Sequence, residues 1–442
     1  MNILIITTYF PPDTAISAVR PYMFAKHLLQ RGHSVTVLRS GLINSSADHY
    51  FGEKPKGLRV ISYLGENSPA EAFERGEIAA PSVNSQSRIH FLPEVLRKPL
   101  AQMYHSTDYI RDIHKARMAF SVQKRVLDSM TNEHFDVVFA TYGRLENVYA
   151  GEYAANLFHC KWILDLRDSI PQKVFDGFIE NMVMRHIQDC AIRKADACTV
   201  VSDGLRESSR EARRKEIIRL YNGYEPTQMA AEKAIFPEQG VFSICYTGQI
   251  YGSREQGIIL LLKVLKKLSE DGRIDSDNVK FQYAGPEKEF NILLKHASNL
   301  QLERILVNHG YVGRAKAEEI QIKSDIFLVL AENNHDYKGD LSGKFYEGIR
   351  CERPILAIVV GNAPRSELFE LNEKYHYGFC YEDCQRQELF PKLCDYLAEA
   401  YQEKIKLGQI QYHPASDFTL RFRYDNLTKE LEDICKNLIT ES

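Results

Sequence analysis

Two apolar runs leave this chain few folds to choose from. Ile326-Phe-Leu-Val-Leu-Ala331 and Pro354 to Val360 are strand-length and apolar almost throughout, which is the pattern of strands covered on both faces in a parallel sheet. Between them the period changes to that of a helix, within Gly339-Asp-Leu-Ser-Gly-Lys-Phe-Tyr-Glu-Gly-Ile-Arg-Cys-Glu-Arg-Pro-Ile355. Ser342 stands where an N-cap is expected for a helix that begins at Gly343. The unpaired amides of its first turn then face whatever lies above the carboxyl edge of the sheet, which makes a seat for a phosphate. Lys344 and Glu347 share one face of this helix, and Phe345 and Ile349 share the face toward the core. In one reading Lys344 neutralises a diphosphate and Glu347 accepts hydrogen bonds from a ribose diol. In the other the two are a solvated surface pair, which contributes little. The helix alone does not choose between them.

The same alternation runs through the rest of the chain. Asn2 to Thr8 reads as a strand, Ser17 to Arg31 as a helix stopped at Gly32, and Ser34 to Arg39 as the next strand. The loop from Tyr9 to Arg20 is longer than a strand-to-helix turn requires, and loops at that edge of a parallel sheet carry function. Further strands are expected at Leu58 to Leu64, Asp136 to Thr141, Lys161 to Leu166, Ala197 to Ser202 and Ile217 to Asn222. The polar stretch Glu225 to Gln239 reads as a linker. Phe242 to Gly248 then opens a second series, with a helix at Ile258 to Leu268 and strands at Val279 to Gly285 and Arg304 to His309. A closing helix from Leu420 to Leu438 carries Leu427, Leu431, Ile434 and Leu438 at helical spacing.

With 442 residues the chain exceeds what one core usually holds. The expected division is 1–225, 226–418 and a terminal helix at 419–442. A formal charge of −3 gives no global attraction to nucleic acid, so no nucleic-acid partner is expected. No run of apolar residues is long enough to span a membrane, and the expected location is cytoplasmic. Residues 88–125 mix Arg88, Arg97, Lys98, Arg111 and Lys115 with Phe91, Tyr104 and Tyr109. Such a mixture suits a peripheral membrane face, and equally a solvated helix face with Glu94, Asp108 and Asp112 among its cations. The nine cysteines read as buried free thiols, without metal-site spacing. Asp275-Ser-Asp277 reads as a turn rather than a metal-binding triplet.

Lys344, Glu347-Gly348 and Arg353-Pro354 resemble the nucleotide-binding motif of glycosyltransferase family 4. Tyr9-Phe-Pro-Pro12 with Arg20 and Arg31-Gly32-His33, and Asp165-Leu-Arg-Asp168, resemble two further stretches of that family. The resemblance covers nearly the whole chain and favours the diphosphate reading. It departs at Gly339, where a first Glu is usual and Asp340 stands beside it; at Ile16-Ser17, near the place of a Gly-Gly; at Thr141-Tyr142, where many relatives have a His; and at Gln249 and Gln256-Gly257, in place of two cations.

What the resemblance implies is an α/β chain of two Rossmann-like domains with parallel sheets facing a cleft, the GT-B type, with the terminal helix at 419–442 crossing back onto the N-terminal domain. It implies a retaining glycosyltransferase acting on a glycan or a lipid-linked acceptor, with a nucleotide sugar as donor substrate and no cofactor or metal. Arg254 and Lys344, with the amides of Ser342 and Gly343 and the loop at Gly248, would hold the diphosphate, and Asp340 the sugar. The turn at Tyr311-Val312 would take the base, with Tyr311 stacked on it. Arg20, Arg167 and Asp168 would lie at strand ends within reach of donor or acceptor, although an internal Arg–carboxylate pair is an equal reading of Arg167 and Asp168. Relatives attack on the same face of the sugar, so no enzymic nucleophile is demanded. Two other functions stay open: a nucleotide-sugar epimerase, for which the loops supply no clear His/Glu set, and a non-catalytic nucleotide-sugar binder.

Overall fold

A parallel strand buried on both faces needs apolar side chains at odd and even positions alike; Val137–Tyr142, Phe242–Thr247 and Ile355–Val360 are buried throughout, whereas Arg59–Ser62 and Leu306–Asn308 at the sheet margins are not. The computed structural model describes all residues except 14–15, 41–53, 64–112, 169–177, 210, 212–214, 227–236, 336–340 and 441–442. The chain divides into two compact units. The first comprises Met1–Val201, Leu205–Leu220 and Thr428–Ser442, and the second Ser202–Gly204 and Tyr221–Leu427.

The first unit is built on seven parallel strands: β1 (Asn2–Thr7), β2 (Ser34–Arg39), β3 (Arg59–Ser62), β4 (Val137–Tyr142), β5 (Lys161–Leu166), β6 (Ala197–Val200) and β7 (Ile217–Arg219). Their order is β3-β2-β1-β4-β5-β6-β7, so the direction of winding reverses between β1 and β4. Helices α1 (Val19–Gln30), α2 (Leu145–Phe158) and α3 (Phe178–Lys194) belong to this unit. Helix α1 stops as its sequence dictates. Gly32 turns left-handed at φ +85°, Gly32 N donates to Leu29 O at 3.0 Å, and His33 N donates to Leu28 O at 3.1 Å.

In the second unit six parallel strands follow the order β10-β9-β8-β11-β12-β13. They are β8 (Phe242–Thr247), β9 (Val279–Ala284), β10 (Leu306–Asn308), β11 (Ile326–Glu332), β12 (Ile355–Val360) and β13 (Gly378–Glu382). Winding reverses between β8 and β11, and it is at such a reversal that a parallel sheet opens a crevice above its carboxyl edge. The unit's labelled helices are α4 (Ser253–Glu270), α5 (Arg314–Ile322), α6 (Gly343–Arg350) and α7 (Arg386–Leu407), and α8 (Tyr424–Thr440) carries the chain into its last residues.

Three expectations need correction. Helix α4 begins at Ser253, five residues before the expected Ile258, because Gly257 is a helical contact point and not a loop residue. A Cβ there would lie 2.9 Å from Leu330 Cδ2, so the missing side chain lets α4 settle onto β11. Strand β13 and helix α7 were not expected at all. Lastly, the closing helix is interrupted: Phe418–Arg421 ends at Phe422, which is fully buried and whose carbonyl accepts from Tyr224 N at 3.0 Å, before α8 starts at Tyr424. Its buried stripe is Leu427, Leu431 and Cys435, whereas Ile434 and Leu438 are half-exposed.

Other readings stand. All nine cysteines are free, although Cys384 is exposed and Cys160 and Cys190 are half-buried. Asp275 accepts from Asp277 N at 3.0 Å, which is a turn role. No helix among the described residues is long and apolar enough to cross a membrane.

Candidate functional site

Helix α6 is short, and tertiary packing holds it in place. Phe345 sits on its underside in a cluster with Tyr346, Tyr377 and Phe422, with ring centroids 5.6, 5.3 and 5.7 Å away. Gly348 brings the backbone against the sheet, since a Cβ there would lie 3.0 Å from the side chains of Ile355 and Phe327. At the leading end Ser342 has the extended backbone of an N-cap, yet its hydroxyl makes no capping bond and is buried without a partner among the described residues. Phe345 N donates instead to the Ser342 main-chain carbonyl at 3.0 Å, and the amides before it carry no side-chain cap.

Above this base Lys344 and Glu347 meet. Lys344 Nζ lies 2.8 Å from Glu347 Oε2, with the two side chains 27% and 13% exposed, so neither is a freely solvated surface group. Glu347 Oε2 also accepts from Gln321 Nε2 at 2.8 Å. Gln321, on α5 and 2% exposed, donates to Thr247 Oγ1 at 2.6 Å and accepts from Arg350 Nη2 at 2.9 Å. Burial acts to raise the Glu347 carboxyl, but Lys344, with Arg350 and Arg314 behind it, outweighs burial and holds the group below its ordinary value. The carboxylate is therefore ionised and positioned at neutral pH.

Gly248 follows β8 and borders the same helix. A Cβ on it would stand 3.0 Å from Lys344 Cε, so the missing side chain gives the lysine room. The loops that follow β8, β9 and β10 are joined through their main chains, Gly248 N donating to Ala284 O at 2.9 Å and Gly285 N to Gly310 O at 3.0 Å. Tyr311, beyond that seam, is 87% exposed, and Val312 is half-buried. Arg254 occupies the first turn of α4. Its guanidinium lies 4.4 Å from the Tyr251 ring centroid and donates to Gln249 O at 3.3 Å, so it is engaged by its own loop.

Residues expected to act from the first unit have separate surroundings. Arg20 is buried and engaged by partners of its own unit. It is 1% exposed, its Nε and Nη2 donate to Asp165 at 3.0 and 2.7 Å, and Nη2 also reaches Leu220 O at 3.0 Å. Thr199 Oγ1 donates to the same carboxylate at 2.7 Å. Burial pushes Asp165 up, but Arg20 and Thr199, with Arg167 adding, hold it below the usual carboxylate range. Arg167 donates to Ser17 O at 2.6 Å, and Asp168 is exposed just beyond β5. An internal Arg–carboxylate pair does form here, but between Asp165, three residues before Asp168, and the distant Arg20. Asp340 and residues 88–112 lie outside the described residues. Thr141 and Tyr142 are buried at the end of β4.

Sequence reasoning missed Gln321, Thr247 and Arg350. The one signal was a polar Gln321 set between Ile320 and Ile322 on a helix that must cover the sheet.

Two parallel α/β units, each reversing its winding beside the first strand, define a chain of the GT-B fold class. No protein-family model and no curated protein sequence matches it. Solved structures do. The catalytic domain of starch synthase IV from Arabidopsis thaliana, bound to ADP and acarbose, is similar over 99% of both chains with a TM-score of 0.59 at 12% identity. A glycosyltransferase from Rickettsia africae is similar over 100% of this chain and 99% of that one, with a TM-score of 0.56 at 14% identity. The N-terminal domain of trehalose-6-phosphate phosphatase from Candida albicans reaches a TM-score of 0.60 at 10% identity, over 99% of this chain and 97% of that one. At these identities the likeness is one of fold, and the bound nucleotide and named activities are those of the other proteins.

Proposed function

We propose that this protein is a retaining glycosyltransferase that moves a sugar from a nucleotide-sugar donor to a glycan or lipid-linked acceptor, in polysaccharide or glycoconjugate synthesis. The observation that carries this reading is the paired Lys344 and Glu347 on the first turns of α6, beside the uncapped amides at Ser342 and Gly343 and the bare backbone of Gly248. Transfer of a glycosyl group develops negative charge on the departing diphosphate. Lys344 and the α6 amides supply positive potential where that charge forms, and Arg254 adds to it once released from Gln249 O. Glu347, ionised and fixed, accepts from the ribose hydroxyls. Tyr311 offers an exposed ring to the base, and Asp340 a carboxylate to the sugar. Asp168, Arg167 and the Tyr9 to Arg20 loop line the acceptor side. Likeness of fold to an ADP-bound starch synthase supports the choice of a nucleoside diphosphate carrier.

The test is a thermal-shift screen against UDP-, GDP- and ADP-sugars, followed by turnover assays with the nucleotide sugar that stabilises the fold. Lys344→Ala and Glu347→Ala are each expected to weaken donor binding by at least about tenfold, the loss of a hydrogen bond to a charged group, with circular dichroism unchanged. Unchanged affinity in both variants overturns the assignment. Sugar interconversion without an acceptor would instead mark an epimerase, and binding without turnover a non-catalytic binder.

A further inference from the structure

Glu347 carries both of its hydrogen bonds on a single oxygen. Lys344 Nζ and Gln321 Nε2 each lie 2.8 Å from Oε2, and among the described residues Oε1 accepts none. Gln321 itself cannot turn over. Its Oε1 faces Arg350 Nη2 at 2.9 Å, and a guanidinium has only donors, so Nε2 must face the acceptors Thr247 Oγ1 and Glu347 Oε2. Both amide protons and the amide oxygen of this buried side chain are thereby used.

The two donors to Oε2 differ in kind. Lys344 is a flexible cation at the helix start, free to turn toward an arriving diphosphate. Gln321 is locked at three points, and Cys351 Sγ approaches its Oε1 at 3.7 Å as well. We propose that Gln321 is a positioning residue: it holds Oε2 of Glu347 when Lys344 is drawn to the phosphates, and so keeps Oε1 aimed at the ribose diol of the bound nucleotide. The site then selects nucleotides that carry intact vicinal hydroxyls, through a residue that never touches the ligand. This inference rests on the donor-site reading given above.

The experiment compares dissociation constants of UDP, GDP and ADP with those of their 2′,3′-dideoxy counterparts, by calorimetry, for the full-length protein and for Gln321→Leu. The wild type is expected to prefer the ribose form by about tenfold or more. In Gln321→Leu the ratio falls toward one, while affinity for the dideoxy form stays within about threefold. A merely structural role would weaken both forms alike. Because Leu also removes the acceptor that Gln321 offers Arg350, Thr247→Val is the second variant. It removes only the other anchor of the Gln321 amide and is expected to reduce the ratio several-fold in a folded protein. A full ribose preference retained in either folded variant overturns the role of Gln321. A wild type that binds none of the diphosphates, or binds both forms equally, fails the donor-site reading instead.

Discussion

Arg20 and Lys344 both stand on helices that follow a parallel strand, yet their surroundings give them opposite tasks. Arg20 is buried with its fork filled by Asp165, an arrangement in which the second partner cannot be left alone. Arg20→Ala is expected to destabilise the protein by about 3–5 kcal/mol in chemical denaturation, because it strands a carboxylate in the core of the first unit. If Arg20 were a ligand-binding cation, the same change would cost affinity and leave stability near wild type. Arg20→Lys is expected to recover only part of the loss, since an ammonium does not fill both oxygens as a guanidinium does. Lys344 has the reverse profile. Partly exposed and held by a single carboxylate, it contributes little to folding, and its substitution is read in binding. Sequence spacing showed Lys344 and Glu347 on one helix face, and that much was legible. It did not show Gln321 beneath them, because the contact joins α5 to α6 across residues that are distant in sequence. Nor could it separate the buried arginine from a functional one, since both occupy the same kind of position in the pattern.

At the level of elements, continuous apolar strands were easy to see and the half-covered ones were not. β8, β11 and β12 announce themselves, whereas β13 opens on two half-buried residues and pairs with β12 at the sheet margin. Its first residue, Gly378, has φ +141° and a Cβ there would lie 2.4 Å from Ile355 O, so the strand depends on a glycine that reads from sequence as a break. Helix α8 shows how an element can be held by charge as well as by its apolar stripe. Glu432 is nearly buried and meets Lys436 at 2.6 Å, His33 at 3.2 Å and also Arg31. Lys436 lowers its carboxyl most, burial opposes, and Arg31 and His33 add to the lowering, leaving it at about 2 against an ordinary 4.5. A folded-state value below the unfolded one stabilises above the ordinary range and is lost as pH falls through the folded value. The difference in melting temperature between wild type and Glu432→Gln should therefore be full above pH 4.5 and shrink toward zero as the pH approaches 2. A difference that does not change with pH would mean that Glu432 acts by packing alone.

On the scale of the whole molecule, the alternation of strands and helices foretold two parallel-sheet units. The alternation alone does not show that the first unit is assembled from separated stretches of chain, because membership is set by contacts and not by composition; only the family resemblance implies that the closing helix returns to the first domain. Thr428–Ser442 belongs with Met1–Val201, whereas the second unit is one long run, Tyr221–Leu427, joined by Ser202–Gly204. Deleting residues 428–442 is expected to raise hydrogen exchange in β1, β2 and α1, where Arg31 and His33 lose Glu432, and to leave β8, β11 and β12 as protected as before. Equal loss of protection in both units would contradict the division. The same arrangement sets an order of birth. A ribosome working from the amino end delivers a complete second unit before it releases the last helix that the first requires. The half of the protein that is synthesised first is the half that matures last.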